Sequence, residues 1–218
     1  MKPLKNKVAV VAGATRGAGR GIARGLGEAG ATVYCTGRSV RGNPSPYGRP
    51  ETIEETAEMV TAAGGAGLAV RVDHTVESEV RALFERVEAE QGRLDVLANS
   101  VAGEDPRFGE STSFWETDLS QGLEILRHAV LAHVITARYA APLMIRKRRG
   151  LLVEVTEGDC FLGGSGNVLH DLAKASIKQL AYRMAEELRK HRVAAIAITP
   201  GYLRTEPMLE HFGVTEAN

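Results

Sequence analysis

The strongest constraint in this sequence is a glycine-rich turn in a fixed setting. Val8-Ala-Val-Val-Ala12 is a short apolar run rich in β-branched residues and reads as a buried parallel strand. Gly13-Ala-Thr-Arg-Gly17-Ala-Gly19 follows it directly and opens a helical stretch, Arg20–Ala29, with Ile22, Ala23 and Leu26 on one face. Glycines there permit a tight turn and close backbone approach, and a helix start presents N–H groups to an anion. Strand, glycine turn and helix in that order point to a diphosphate-binding crevice rather than an ordinary turn.

The same alternation continues along the chain. Ala31–Thr36 reads as a second strand, and Ser39–Pro50, with its prolines and glycines, as a surface loop. A helix follows over Thr52–Ala63, with Ile53, Thr56, Ala57 and Val60 in one stripe, then a strand over Leu68–Val72. Val76–Gln91 is an amphipathic helix with Val80, Leu83, Phe84 and Val87 inward, and Leu94–Ala98 a fourth strand. Asp118–Met144 holds a long helix, apolar nearly all round from Ile125, which predicts deep packing and a kink or end at Pro142. Leu151–Thr156, Leu169–Lys190 and Val193–Thr199 complete the series as strand, helix and strand. Six alternations predict an α/β fold, a Rossmann-type doubly wound parallel sheet with helices on both faces.

Composition removes several function classes. Lys+Arg and Asp+Glu are both 27, so the chain lacks the cationic excess of a general nucleic-acid or membrane-surface binder. Aromatics at 5% disfavour a base-stacking platform. Two cysteines, Cys35 and Cys160, build neither a disulfide framework nor a zinc site. No stretch approaches the ~18 apolar residues of a membrane span. The expectation is a cytoplasmic protein with a small-molecule substrate, no nucleic-acid or membrane partner and no metal. Of the six histidines, His133 in the apolar helix reads as a hydrogen-bonded core residue. His128, His191 and His211 read as solvated, and none is expected to have a carboxylate partner at helical spacing. Arg20 and Arg24 read as a solvated helix face.

The spacing G-x-x-x-G-x-G of Gly13, Gly17 and Gly19, with Thr15 and Arg16 between them, resembles the short-chain dehydrogenase/reductase family. Further matches lie in the same order: Asp73 after the third strand, bordered by His74; Asn99-Ser-Val-Ala102-Gly103 after the fourth; Lys174 in a Tyr-x-x-x-Lys-like helix; and Pro200-Gly201 with Thr205. Phe114-Trp115-Glu116 and the Pro/Gly loop after Arg38 single out one branch of that family. The resemblance implies a single dinucleotide-binding domain over residues 1–218, with residues 202–218 a partial substrate lid. Set against the family pattern, the C-terminal part looks shortened, which would expose the edge of the sixth strand. The resemblance also implies a homodimer or homotetramer through the long helices.

Strand two ends in Cys35-Thr-Gly-Arg38, without the acid that accepts a ribose hydroxyl in NAD sites. Arg38, with Arg16, suits the extra phosphate of NADP(H), which is favoured over NAD(H). The catalytic set departs from the family pattern. Lys174 is present, but His170 stands where the family has its tyrosine, Glu157 stands at the serine spacing beside Thr156, and 127–132 holds no asparagine. Three readings stay open. His170 acts as an altered acid/base in an oxidoreductase acting on a carbonyl or alcohol; the protein is an impaired reductase or a non-catalytic NADP(H) binder; or His170 and Glu157 shuttle protons in a non-redox lyase, isomerase or cyclase. Substrate would sit over Ala102–Gly103, Glu157 and His170, beneath 202–212.

Overall fold

The computed structural model describes residues 2–45, 48–102, 113–157, 167–201 and 203–215. Gly103, Cys160, Tyr202 and the segment 104–112 lie outside the described residues.

Six parallel strands form one sheet in the order β3-β2-β1-β4-β5-β6. They are β1 (Val8–Ala12), β2 (Thr32–Gly37), β3 (Ala66–Arg71), β4 (Val96–Asn99), β5 (Gly150–Val155) and β6 (Val193–Ile198). Alternating side chains of β1 feed two separate cores. Val8 and Val10 join Leu83, Phe84, Leu143 and Met144 under α3 (Glu77–Gln91) and α5 (Ala132–Lys147). Ala9 and Val11 join Ala23, Ala57 and Val60 under α1 (Gly17–Glu28) and α2 (Ile53–Ala62). The stripes expected for α2 and α3 are the ones buried. Thr52 caps α2, its side chain accepting from Glu55 N–H, so this helix begins one residue after the predicted start.

Three expectations need correction. The chain does not end its helix at Pro142; α5 runs on to Lys147. Pro142 and Arg138 lie on the exposed face, so the Arg138 carbonyl that loses its N–H partner remains open to water. The long stretch is also not one continuous α-helix. α4 (Leu119–Leu126) passes through a π-helical turn, Arg127–Leu131, before α5 begins. Nor is the stretch from Ile125 to Met144 buried all round, because Leu131 and Val134 are exposed; Leu119 and Leu123 before it are exposed too, as are Leu172 and Tyr182 on α6 (Val168–Leu188). Finally, the loop after Arg38 is partly interior, with Ser39 and Ser45 buried. Arg49 ties it down by pairing with Glu51 at 2.6 Å and with Glu210 of α7 (Glu206–Phe212) at 2.8 Å.

β1 and β4 are neighbours, yet the chain winds away from them in opposite directions. This reversal opens a crevice beyond their carboxyl ends, where Ala12 pairs with Asn99. A Cβ on Gly13 (φ +78°) would lie 2.7 Å from the Ser100 carbonyl oxygen and 2.9 Å from Val101 N. The two loops that wall the crevice therefore touch only because residue 13 has no side chain.

Elsewhere the layers approach just as closely. A Cβ on Gly67 would sit 2.0 Å from the Ala57 carbonyl oxygen, forcing α2 off β3. Gly67→Ala is expected to lower stability by about 1–3 kcal/mol. Gly21→Ala, on the open face of α1 with nothing within 4 Å, is expected to raise it by about 0.5–1 kcal/mol. Calorimetric melting of both variants checks the pair.

Candidate active site

A cleft of about 580 Å³ occupies the crevice. Its walls bring together Gly13, Thr15, Arg16, Gly17, Arg38, Asp73, His74, Ala102, Thr156, Glu157, Lys174, Pro200 and Gly201, residues singled out in the sequence from seven separate segments. Gly19, Asn99 and His170 do not line it. Gly19 serves packing: a Cβ there would lie 2.0 Å from the Gly13 carbonyl oxygen, so the turn folds back onto α1 only with glycine. Asn99 is fully buried; its amide donates to Glu154 Oε1 at 2.9 Å and to the His133 carbonyl at 3.3 Å.

The start of α1 has Arg16 as its N-cap, with no side-chain cap bond. The carboxylate of Glu206 takes that place, accepting from Gly17 N–H at 2.8 Å through Oε2, while its Oε1 lies 3.6 Å from Arg20 Nε. An anionic oxygen pair thus already sits on the glycine turn, which is what an N–H-lined helix start favours. Arg20 also donates to the Thr15 carbonyl at 3.0 Å and to Glu55 at 2.7 Å, so it is an interior tie and not the solvated residue its spacing suggested.

At the other end of the cleft, Arg38 donates to His128 Nε2 at 3.1 Å and lies 4.0 Å from Asp73 Oδ2. His128 donates from Nδ1 to the Glu124 carbonyl at 2.9 Å, which leaves Nε2 as the acceptor for Arg38. Glu124 is also its carboxylate neighbour one helical turn back, at 3.6 Å. His128 is therefore a cleft residue rather than a solvated one, and the π-helical turn that carries it gave no signal in the sequence. Burial pushes the Asp73 carboxyl up, but hydrogen bonds from Thr75 and the charge of Arg38 outweigh it, and it titrates below the usual range. His74 is locked between Thr36 at 2.8 Å and Thr136 at 2.9 Å. Burial, with His133 nearby, drives its pKa to about 3, so it is a neutral strut.

The end of β5 and the start of α6 build another wall of the cleft, with Thr156, Glu157 and Lys174. Asn167 caps α6, its side chain accepting from Leu169 and His170 N–H at 3.0 and 3.2 Å. This fixes His170 in the first turn and Lys174 one turn later. Glu157 lies between them, with Oε1 3.3 Å from Lys174 Nζ and 3.6 Å from His170 Nε2. The His170 ring, and after it the Lys174 ammonium, hold the Glu157 carboxyl at about 2 against partial desolvation. Glu157 is thus an anion and hydrogen-bond acceptor at any working pH. Thr156 donates its hydroxyl to the Lys174 carbonyl at 2.9 Å, joining β5 to α6. Its hydrogen is committed to the scaffold, and Glu157 is the half-exposed group of the two.

The backbone cradle, the seated carboxylate and the nearby guanidinium groups fit a dinucleotide in shape and charge. Among the described residues no group of three or more His, Cys, Asp or Glu is arranged to hold a metal ion, and no helix is long and apolar enough to cross a membrane.

Comparison with known proteins bears on this geometry. Dehydrogenase/reductase SDR family member 1 of Homo sapiens is 38% identical over 217 residues, covering 98% of this chain and 66% of the human protein. Its counterpart in Mus musculus is 39% identical over 211 residues, covering 95% of this chain and 64% of the mouse protein. The chain thus spans less than two thirds of the length of either relative. The branch that Phe114-Trp115-Glu116 singles out is the one around these proteins. A metagenomic short-chain oxidoreductase, solved in complex with NADP, superimposes with a TM-score of 0.79 at 27% identity, covering 92% of this chain and 84% of that one. Residues 7–212 match the family described as short chain dehydrogenase, and the chain belongs to that family.

Proposed function

We propose that this protein is an NADP(H)-dependent oxidoreductase acting on an alcohol or carbonyl substrate, with Glu157, His170 and Lys174 as its chemical group and Thr156 as their brace. The observation that carries the cofactor half is the Glu206 carboxylate on Gly17 N–H, an anion already seated where a diphosphate would lie. Gly13, Thr15, Gly17 and Ala102 would line the path of the bound dinucleotide, and Gly19 would keep the turn closed. Asp73, beside His74, would face the adenosine end. Arg38 and Arg16 would face the 2′-phosphate, and Pro200 and Gly201 the nicotinamide end. Asn99 would act from beneath, through the backbone it supports. Bound there, the nicotinamide would give or take a hydride.

The protein's own part is proton handling and orientation. Lys174 would hold the ribose and present positive charge to the substrate oxygen. Glu157 can only accept a hydrogen bond, whereas a serine at that spacing could donate one. It therefore suits an alcohol hydroxyl better than a carbonyl oxygen, and favours oxidation over reduction. His170, 3.6 Å from Glu157, would relay the alcohol proton. The same carboxylate–imidazole pair supports a second reading, proton transfer without redox in a lyase, isomerase or cyclase. The exposed apolar residues Leu119, Leu123 and Leu172 on α4 and α6 support a homodimer or homotetramer through that face. The low cysteine count supports a cytoplasmic setting as part of this proposal.

NADPH fluorescence on titration is expected to rise on binding. Arg38→Ala should weaken NADPH about tenfold with little effect on NADH, and Glu206→Gln should tighten both by removing the resident anion; no binding of either nucleotide would reject the proposal. His170→Tyr separates the readings of the chemistry. A gain of about 10²–10⁴ in alcohol- or carbonyl-dependent turnover marks a displaced catalytic tyrosine, and loss of a redox-independent activity marks the histidine as the working group. Light scattering should report an oligomer, and Leu123→Glu should yield monomers.

A further inference from the structure

Glu154 and His133 form a pair that the proposed chemistry does not use. Both are fully buried, on β5 and α5, and both stand beside fully buried Asn99. His133 Nδ1 lies 2.6 Å from Glu154 Oε2, and Asn99 donates to Glu154 Oε1 at 2.9 Å. The other ring nitrogen, Nε2, lies 2.8 Å from the Val101 carbonyl oxygen. A carbonyl can only accept, so Nε2 carries a hydrogen. The second hydrogen, between Nδ1 and Oε2, is shared by the pair.

Burying a carboxylate and an imidazole side by side is costly, and two apolar side chains would fill the space as well. What they could not do is hold Val101. β4 ends at Asn99, and Ser100 N–H still reaches the Ala12 carbonyl at 2.9 Å. Beyond that the chain leaves the sheet, and His133 holds the Val101 carbonyl from α5. Val101 and Ala102 line the cleft, and Val101 N lies 2.9 Å from where a Gly13 Cβ would be. This short segment is the floor between the glycine turn and Glu157.

We infer that His133, held in its orientation by Glu154, itself held by Asn99, is a positioning residue that fixes the Val101–Ala102 backbone at the reactive end of the cleft. The inference rests on the dinucleotide reading for its effect on binding, but the anchor itself is testable in the free protein. Glu154→Gln can keep every bond, its amide N–H donating to Nδ1 and its oxygen accepting from Asn99. His133→Phe removes the donor to Val101. Should His133→Phe not fold, Glu154→Val, which strips Nδ1 of its partner, takes its place in the comparison.

The first measurement is hydrogen–deuterium exchange over residues 99–102 in the folded variants. His133→Phe should raise exchange there about tenfold or more while β1 and β2 stay protected, and Glu154→Gln should match the unmodified protein. The second compares NADPH with 2′,5′-ADP, which carries only the adenosine half. His133→Phe should weaken NADPH about tenfold and leave 2′,5′-ADP within about twofold. A purely structural role would raise exchange across the whole sheet and weaken both ligands alike. That outcome, unchanged exchange at 99–102, or Glu154→Gln as loose as His133→Phe would each overturn the inference. Failure of the unmodified protein to bind either nucleotide would reject the dinucleotide reading instead, with the exchange result still deciding the anchor.

Discussion

The approach of two backbone loops at Gly13 governs the rest of the molecule. Parallel strands that wind away from a common centre leave a gap at their carboxyl ends, and here the gap lies between β1 and β4. Its width is set where Gly13 meets Ser100 and Val101 at distances no side chain could survive. With that contact in place, α1 starts with its N–H groups at the gap, β5 brings Glu157 alongside, and α6 supplies Lys174 and His170. A side chain at residue 13 would push the glycine turn away from the Ser100–Val101 backbone.

Charge in the cleft is arranged around this geometry. Arg16 faces Glu51 at 3.9 Å, Arg49 joins Glu51 to Glu210, and Arg20 lies between Glu55 and Glu206. The formally neutral chain therefore hides a cationic rim whose arginines are balanced by its own carboxylates. Glu206 belongs to the same arrangement: its carboxylate accepts from Gly17 N–H at 2.8 Å, which ties α7 to the glycine turn.

The doubly wound parallel sheet and the glycine turn at the cleft were legible in the sequence because they follow from local signals. Val8–Ala12 is apolar and β-branched, the glycines follow at once, and stripes such as Val80, Leu83, Phe84 and Val87 recur at helical spacing. What escaped was set by contacts between distant segments. His128 looked solvated because a π-helical turn shifts the helical register after Leu126 and aims it at Arg38. Pro142 looked like a kink or an end, and of these the end did not occur, because exposure of its face cannot be read from composition. Glu206 looked like part of a lid, and only the fold brings it to Gly17, 189 residues away. The exposure of Leu131 and Val134 was hidden because the run from Ile125 is nearly apolar all round and has little polar face to define its orientation.

The end of β5 repeats one carboxylate–imidazole pairing at two depths. Two carboxylates stand three residues apart, and each meets a histidine from a helix on the same side of the sheet. Glu154, within the strand, meets His133 of α5, and Glu157, beyond its end, meets His170 of α6. Glu154 within the strand and Thr156 just past its end are buried, while Glu157 is half-exposed at the cleft. The inner pair is closed to solvent and fully engaged with Asn99 and Val101, so it can hold backbone but cannot meet a ligand. In the outer pair Glu157 lines the cleft beside Lys174, while His170 is buried. One short segment thus carries the same carboxylate–imidazole pairing twice, and solvent access separates the two: the inner pair is sealed, and the outer has one member at the cleft.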